Sequence, residues 1–227
     1  MTMKNAGFFA CLAMCFSVGA QDFSLQICPV FAHEKIVLEQ PLHTSTGDTL
    51  TLSTLKFYLG NFGFWKNGQV VHTENAHRLL DLEDETTLRL TFDFPENTAF
   101  DSIAFDLGVD SLTTASGAMG GDLDPTRGMF WTWQSGYINL KLEGFSSKCP
   151  ARGGLFELHL GGYLPPFQSV RRVVLPFSKK ENARLDFDLN PLFRQIDWEK
   201  KSGIMSPGAE AVRLTNVLAT SFLSHEK

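Results

Sequence analysis

Leu88-Arg89-Leu90-Thr91-Phe92-Asp93-Phe94 alternates apolar and polar residues without a break. A period of two is the signature of a strand with one buried and one wet face. The same beat recurs along the chain. Ile103, Phe105, Leu107 and Val109 alternate with Ala104, Asp106 and Gly108. Ile138, Leu140 and Leu142 alternate with Asn139, Lys141 and Glu143; Phe156, Leu158 and Leu160 with Glu157 and His159; Leu185, Phe187 and Leu189 with Asp186 and Asp188. Upstream, Lys35 to Leu38 and Thr49 to Phe64 also read as strands. Thr46-Gly47-Asp48, Asn67-Gly68, Pro95-Glu96-Asn97 and Arg152-Gly153-Gly154 punctuate the runs as turns. Near the end, Ser206-Pro207 reads as an N-cap and first-turn pair, followed by Ala211, Leu214, Leu218 and Phe222 at near-helical spacing. The pattern predicts a mainly β, sandwich-like single domain with a short C-terminal helix. The 20 phenylalanines supply bulk to fill the space between two sheets.

The first 20 residues have a different character. Lys4 is followed by an uncharged apolar run, Ala6 to Val18, and then by Val18-Gly19-Ala20, a small-residue cleavage site. This is the layout of a secretory signal, so residues 1–20 are expected to be removed and the domain to occupy 21–227. The run is shorter than the roughly 20 residues a membrane span needs, and no later segment is long and apolar enough to span. The expected location is therefore periplasmic or secreted. Cys11 and Cys15 leave with the signal. Cys28 and Cys149 remain as an even pair in an oxidising compartment, where a disulfide is expected. Such a bridge closes a loop of roughly 120 residues and stabilises by about 4 kcal/mol in the chain-entropy account. The other reading is two buried thiols. A net charge of -5 without a basic stripe argues against nucleic acid and anionic membranes as partners.

Ser116 to Gly144 departs from an ordinary sandwich. A glycine-rich loop, Gly117-Ala118-Met119-Gly120-Gly121-Asp122-Leu123-Asp124-Pro125, leads into Gly128-Met129-Phe130-Trp131-Thr132-Trp133-Gln134-Ser135-Gly136-Tyr137 and a strand ending Lys141-Leu142-Glu143-Gly144. If Met129 to Trp133 is extended, Met129, Trp131 and Trp133 share one side. Packing in the core is the plain reading of such residues. Together with Gly108-Val109-Asp110, and with Phe156-Glu157-Leu158-His159-Leu160-Gly161-Gly162, this segment resembles the MbnP family of exported, copper-associated proteins of methanobactin-type operons and their relatives. Leu55 to Asn61 is similar to an earlier strand of that family, with Gly60 standing where a serine is usual. The resemblance runs from about Cys28 to the final helix.

That resemblance implies copper handling. It also implies a dihaem peroxidase-like partner that oxidises a tryptophan to kynurenine, at Trp131 or Trp133. Trp131 ranks first, because a related copper protein carries its kynurenine two residues before a histidine ligand; here Trp133 stands at that following position.

Elementary chemistry bears on the donors. An indole N–H only donates hydrogen bonds, so an unmodified tryptophan offers no nitrogen ligand. Kynurenine would add an aniline nitrogen and a carbonyl. Copper(I) accepts thioether and imidazole, which makes Met129 and His159 candidates. His159 falls on the face opposite Phe156, Leu158 and Leu160; a lone strand histidine is also often structural. His33 and His77 are further candidates, whereas His43, His72 and His225 sit in polar stretches. Asp122 and Asp124 could hold calcium, or simply form a solvated turn. No nucleophile elbow, zinc-protease motif, P-loop or dinucleotide fingerprint is present, so the chain is not expected to be an enzyme. The expected function is copper binding or handling outside the cytoplasm; the alternative is a metal-free envelope interaction module presenting an aromatic loop.

Overall fold

The computed structural model describes residues 20–45, 47–95, 98–133, 136–178 and 183–224. Of the expected leader only Ala20 is among them, and Thr46, Glu96, Asn97 and His225 lie outside them. Two sheets face each other. The smaller holds β14 (Phe222–Ser224), β12 (Ala183–Asp188), β1 (Ala20–Phe31) and β2 (Glu34–Lys35) in that order, with β6 (Arg89–Pro95) also paired to β1. The larger runs β11 (Arg171–Pro176), β7 (Ser102–Leu107), β4 (Thr49–Lys66), β9 (Gly136–Ser146), β10 (Leu155–Gly161) and β13 (Gly203–Ile204). β3 (Pro41–His43) and β5 (Gln69–Asp81) also pair with β4, and β8 (Phe130–Trp131) pairs with β9.

Most of the alternating residues bury as their period requires; Ile138, in phase with Leu140 by sequence, is set apart from it by a register shift and packs in a separate cluster. Ile103, Phe105, Leu107, Leu140, Leu142, Phe156, Leu158, Leu160, Leu185 and Phe187 all belong to one core between the sheets. Aromatic pairs lock the layers together: Phe57 against Phe187 with centroids 4.9 Å apart, Phe62 against Phe92 at 5.0 Å and Phe105 against Phe222 at 5.0 Å. Each fully buried phenylalanine stabilises by about 1.5–3 kcal/mol relative to exposure.

Three expected elements shift. Lys35 to Leu38 is not one strand: only Glu34 and Lys35 pair with β1. The following residues cross between sheets, with the Ile36 N–H donating to Pro29 in β1 and the Glu39 N–H to Leu52 in β4. The C-terminal helix, Ala209–Ala219, starts behind Gly208 rather than at Ser206-Pro207. Pro207 instead lies against Gly162, where an added β-carbon would stand 3.0 Å from its Cβ. Phe222 leaves the helix face and enters β14.

The Cys28–Cys149 bridge is not formed; both residues are free thiols. Leu25 and Ile27 turn into the core, so Cys28, next after Ile27, faces the outer side of the small sheet. Burial raises its thiol pKa, against the pull of nearby Arg184. Cys149 belongs to the inter-sheet core, and its S–H donates to the Leu155 carbonyl at 3.1 Å.

A second, smaller core lies on the outer face of the larger sheet. It gathers Tyr58, Leu79, Val109, Leu123, Met129, Trp131, Tyr137 and Ile138. The chain reaches it at Gly108, whose φ of 107° turns it out of the sheet after Leu107, so Val109 does not continue β7. Asn139 fills the space beside that turn. Its Oδ1 accepts the Val109 N–H at 3.0 Å and its Nδ2 donates to Ser169 Oγ at 3.0 Å. Residues 109–131 then form a lid over this core, opening with α1 (Ser111–Ala115).

Candidate functional site

The glycine-rich loop is held down by two tyrosines of the larger sheet. Tyr58 Oη donates to the Asp122 carbonyl at 2.9 Å, and Tyr137 Oη donates to the Leu123 carbonyl at 3.0 Å while accepting the Met119 N–H at 3.0 Å. Burial raises both phenol pKa values, which keeps them protonated. The two carboxylates considered for calcium also hold the loop. Asp122 Oδ2 accepts the Leu79 N–H at 3.2 Å, and Asp124 accepts the N–H and hydroxyl of Thr126 at 2.8 and 2.7 Å. Those Thr126 bonds hold the Asp124 carboxyl below its usual range.

Met129 and Trp131 turn into the second core, at 0% and 6% exposure. Trp133 does not follow them. The strand lasts only for Phe130 and Trp131, and Trp133 stands in the turn beyond it, 65% exposed. The two indoles nevertheless remain neighbours, with ring centroids 5.9 Å apart and planes at 46°. The Trp131 ring lies over Gly161, where an added β-carbon would stand 2.6 Å from Cζ3. Its Nε1–H is buried and finds no acceptor among the described residues.

His159 sits two residues before Gly161 on β10, turned away from the inter-sheet core as its phase predicts. Its Nε2 lies 2.7 Å from Glu143 Oε1 on β9. Burial pushes the Glu143 carboxyl up, but the bond from His159, the charge of Lys141 and a bond from Thr54 together take it below its usual range. A carboxylate on one ring nitrogen orients an imidazole and leaves the other nitrogen as the lone-pair donor, the arrangement in which histidines ligate metals.

His77 on β5 is similarly seated, with Nε2 3.2 Å from Asp110 Oδ2. Its ring occupies the space over Gly60, where a β-carbon would come within 2.5 Å of Cδ2. Burial lowers the His77 pKa more than Asp110 and Asp106 raise it. Asn61 bridges the same two carboxylates, donating from Nδ2 to Asp106 Oδ2 at 2.8 Å and to Asp110 Oδ2 at 3.2 Å. His33 is exposed in the β1–β2 turn of the smaller sheet.

The candidate donors therefore do not form one set. β4 and β9 separate β5 from β10, and His77 is level with Gly60 of β4 whereas His159 is level with Lys141 and hence with Lys56, so the two histidines are three strands and four residues of register apart. Among the described residues, no three His, Cys, Asp or Glu side chains converge in a way that could hold a metal. Of the six residues considered for copper, Met129, Trp131 and Trp133 are neighbours on the outer face of the larger sheet, and the Trp131 ring reaches Gly161, two residues from His159.

The sequence profile of the MbnP family matches residues 20–206, most of the chain. The chain belongs to the MbnP family. Its fold is also that of MbnP from Methylosinus trichosporium, with a TM-score of 0.63 at 18% identity, covering 86% of this chain and 88% of that one. No curated protein matches it. In this MbnP-family chain, Tyr58, Asn61, Tyr137, Asn139 and Glu143 are structural parts of the site that the sequence did not single out. Tyr58, Asn61, Tyr137 and Glu143 lie inside the segments that carry the resemblance, without a role being legible there; the part of Asn139 is visible only once the strands are paired. The glycine at position 60 leaves room for the His77 ring that lies over it.

Proposed function

We propose that this chain is an exported, non-enzymatic copper-handling protein whose donor set is completed by oxidation of a tryptophan in the Trp131–Trp133 pair. Family membership supports a role beside methanobactin-type copper chemistry. The observation that carries the reading is Trp131 packed over Gly161, two residues from His159, whose Nε2 is already held by Glu143. His159 is thus an oriented imidazole, a suitable donor for copper(I). An intact indole beside it gives no nitrogen ligand. Conversion to kynurenine by a dihaem peroxidase-like partner would supply an aniline nitrogen and a carbonyl where the unmodified chain has none. Met129 is packed in the second core among apolar and tyrosine side chains, His77 belongs to the Asp110 network, and His33 is remote; none of the three is assigned to the copper. The test is metal analysis and peptide mass spectrometry on protein recovered from the envelope of cells with and without the haem partner. Copper retained only with an oxidised tryptophan supports the reading; equal copper in both preparations, or none in either, contradicts it.

A second reading has its own observation. Leu112, Met119, Trp133, Leu164 and Phe167 are all exposed at the end of the molecule where α1, the glycine-rich loop and residues 162–168 meet. Ser111 Oγ donates to the Tyr163 carbonyl at 2.8 Å, and Gly136 lies against Tyr163 and Thr114, which ties these segments together. An apolar cluster of this kind marks an interaction surface. A metal-free interaction module would use it without copper.

A further inference from the structure

We propose that the cleft where β9 and β10 meet the turn of residues 151–154 and β13 binds a small zwitterion: a dipeptide-sized molecule with a free ammonium, a free carboxylate and apolar side chains. The tryptophan pair is not part of this cleft, and the site requires no copper.

The cleft encloses about 740 Å³, within the range of small-molecule sites. Local backbone features open it. The pairing of β4 with β9 slips between Leu52 and Thr54, which leaves Ser53 as an extra residue, exposed at the cleft. Gly153 and Gly154, with φ of 73° and 69°, fold the chain back from Arg152 into β10. On the other side β13 runs parallel to β10, with Gly203 level with Glu157, and brings Met205 to the rim.

The charges on this cleft are what select the ligand. Glu143 and Glu157 stand directly opposite each other on β9 and β10, an arrangement in which like charges repel. Glu143 is compensated within the sheet, its Oε1 lying 2.7 Å from His159 Nε2 and 3.4 Å from Lys141 Nζ. Glu157 is exposed and has no ion-pair partner among the described residues. Arg152 lines the same cleft and is likewise exposed and unpaired among the described residues. An anion and a cation thus share one cleft without meeting, and a molecule that carries both charges can bridge them. Its ammonium goes to Glu157 and its carboxylate to Arg152, whose planar guanidinium matches a carboxylate in two-point contact. Leu155 and Met205, 60% and 45% exposed, give the apolar wall that side chains of the ligand would cover.

The test is titration of the copper-free mature chain with L-leucyl-L-leucine, monitored by calorimetry and by amide chemical shifts. A Kd of about 1 mM or tighter is expected for a ligand of this size, with the shifts concentrated at residues 152–157 and 202–205. The C-terminal amide and the N-acetyl derivative each lack one charge and should bind at least about tenfold more weakly, as loss of a charged hydrogen bond requires. Arg152→Gln and Glu157→Gln, both exposed substitutions, should weaken the parent dipeptide by a similar factor. Arg152→Gln should also bind the dipeptide and its amide equally. Absence of saturation by about 10 mM would overturn the proposal. So would shifts centred elsewhere, or binding that neither substitution diminishes. Since the sample holds neither copper nor an oxidised tryptophan, failure here leaves the copper reading standing.

Discussion

Trp131 lies across the α-carbon of Gly161, with no room for a methyl group between them: a β-carbon at 161 would meet Cζ3 at 2.6 Å and the Tyr137 carbonyl oxygen at 2.7 Å. The glycine is what allows the indole to close over β10 next to His159. Gly161→Ala should therefore force the ring outward and cost about 1–3 kcal/mol as an overpacked site does. Denaturant unfolding and tryptophan emission check this together. Lower stability with a red-shifted emission is expected; unchanged values for both would contradict the contact.

Asn139 joins the end of β7 to the loop before β11, and its Oδ1 takes the buried Val109 N–H. Asn139→Ala leaves that donor unsatisfied and should cost about 2 kcal/mol. The loss should appear in unfolding midpoints. Because Val109 opens the lid, hydrogen exchange at residues 109–131 should also speed up.

The pH dependence has a definite sign at His77. Its pKa is lowered in the folded chain from an ordinary 6.5, chiefly by burial. Above pH about 6.5 the ring is neutral in both states and its contribution is complete. Below that value the unfolded chain binds a proton that the folded chain resists, so stability falls as pH falls through the folded pKa. Comparing the parent with His77→Gln between pH about 7 and 5 isolates the effect, since the free imidazole titrates in that range. The parent should lose more stability than the variant; equal slopes would contradict the assignment.

Much of this architecture is written in the period-two runs. Leu90, Phe92, Phe94, Ile103, Phe105, Leu140, Leu142 and Leu158 bury where alternation puts them, because a sandwich core demands only that one face be apolar. Strand β1 went unread although Phe23, Leu25 and Ile27 alternate in it, since its beginning adjoins the apolar leader. The second core was less legible. Tyr58, Leu79 and Tyr137 lie on outward faces that a two-layer reading assigns to solvent, and only the lid of residues 109–131 makes them interior. The side of Met129 and Trp131 followed from the strand phase; Trp133 escaped it because the pairing ends at Trp131.

The free thiols give a further check. In the chain beginning at Gln21, denaturation without reductant should release two titratable thiols, and in the native state Cys149 should be the better protected. A disulfide-reactive reagent with a chromophoric leaving group measures both. Finding no thiol after unfolding would mean that the pair is bridged.

The central claim is that oxidation of a tryptophan beside His159 completes the copper site. Its most direct measurement is competition of the purified chain against a copper(I) chelator of known affinity, before and after oxidation of the Trp131–Trp133 pair by the haem partner. The account predicts one equivalent of copper held by the oxidised chain, weakened by at least about tenfold when unoxidised or when His159 is replaced by Gln, as loss of one donor requires. Equal copper affinity of the intact and oxidised chains would contradict it.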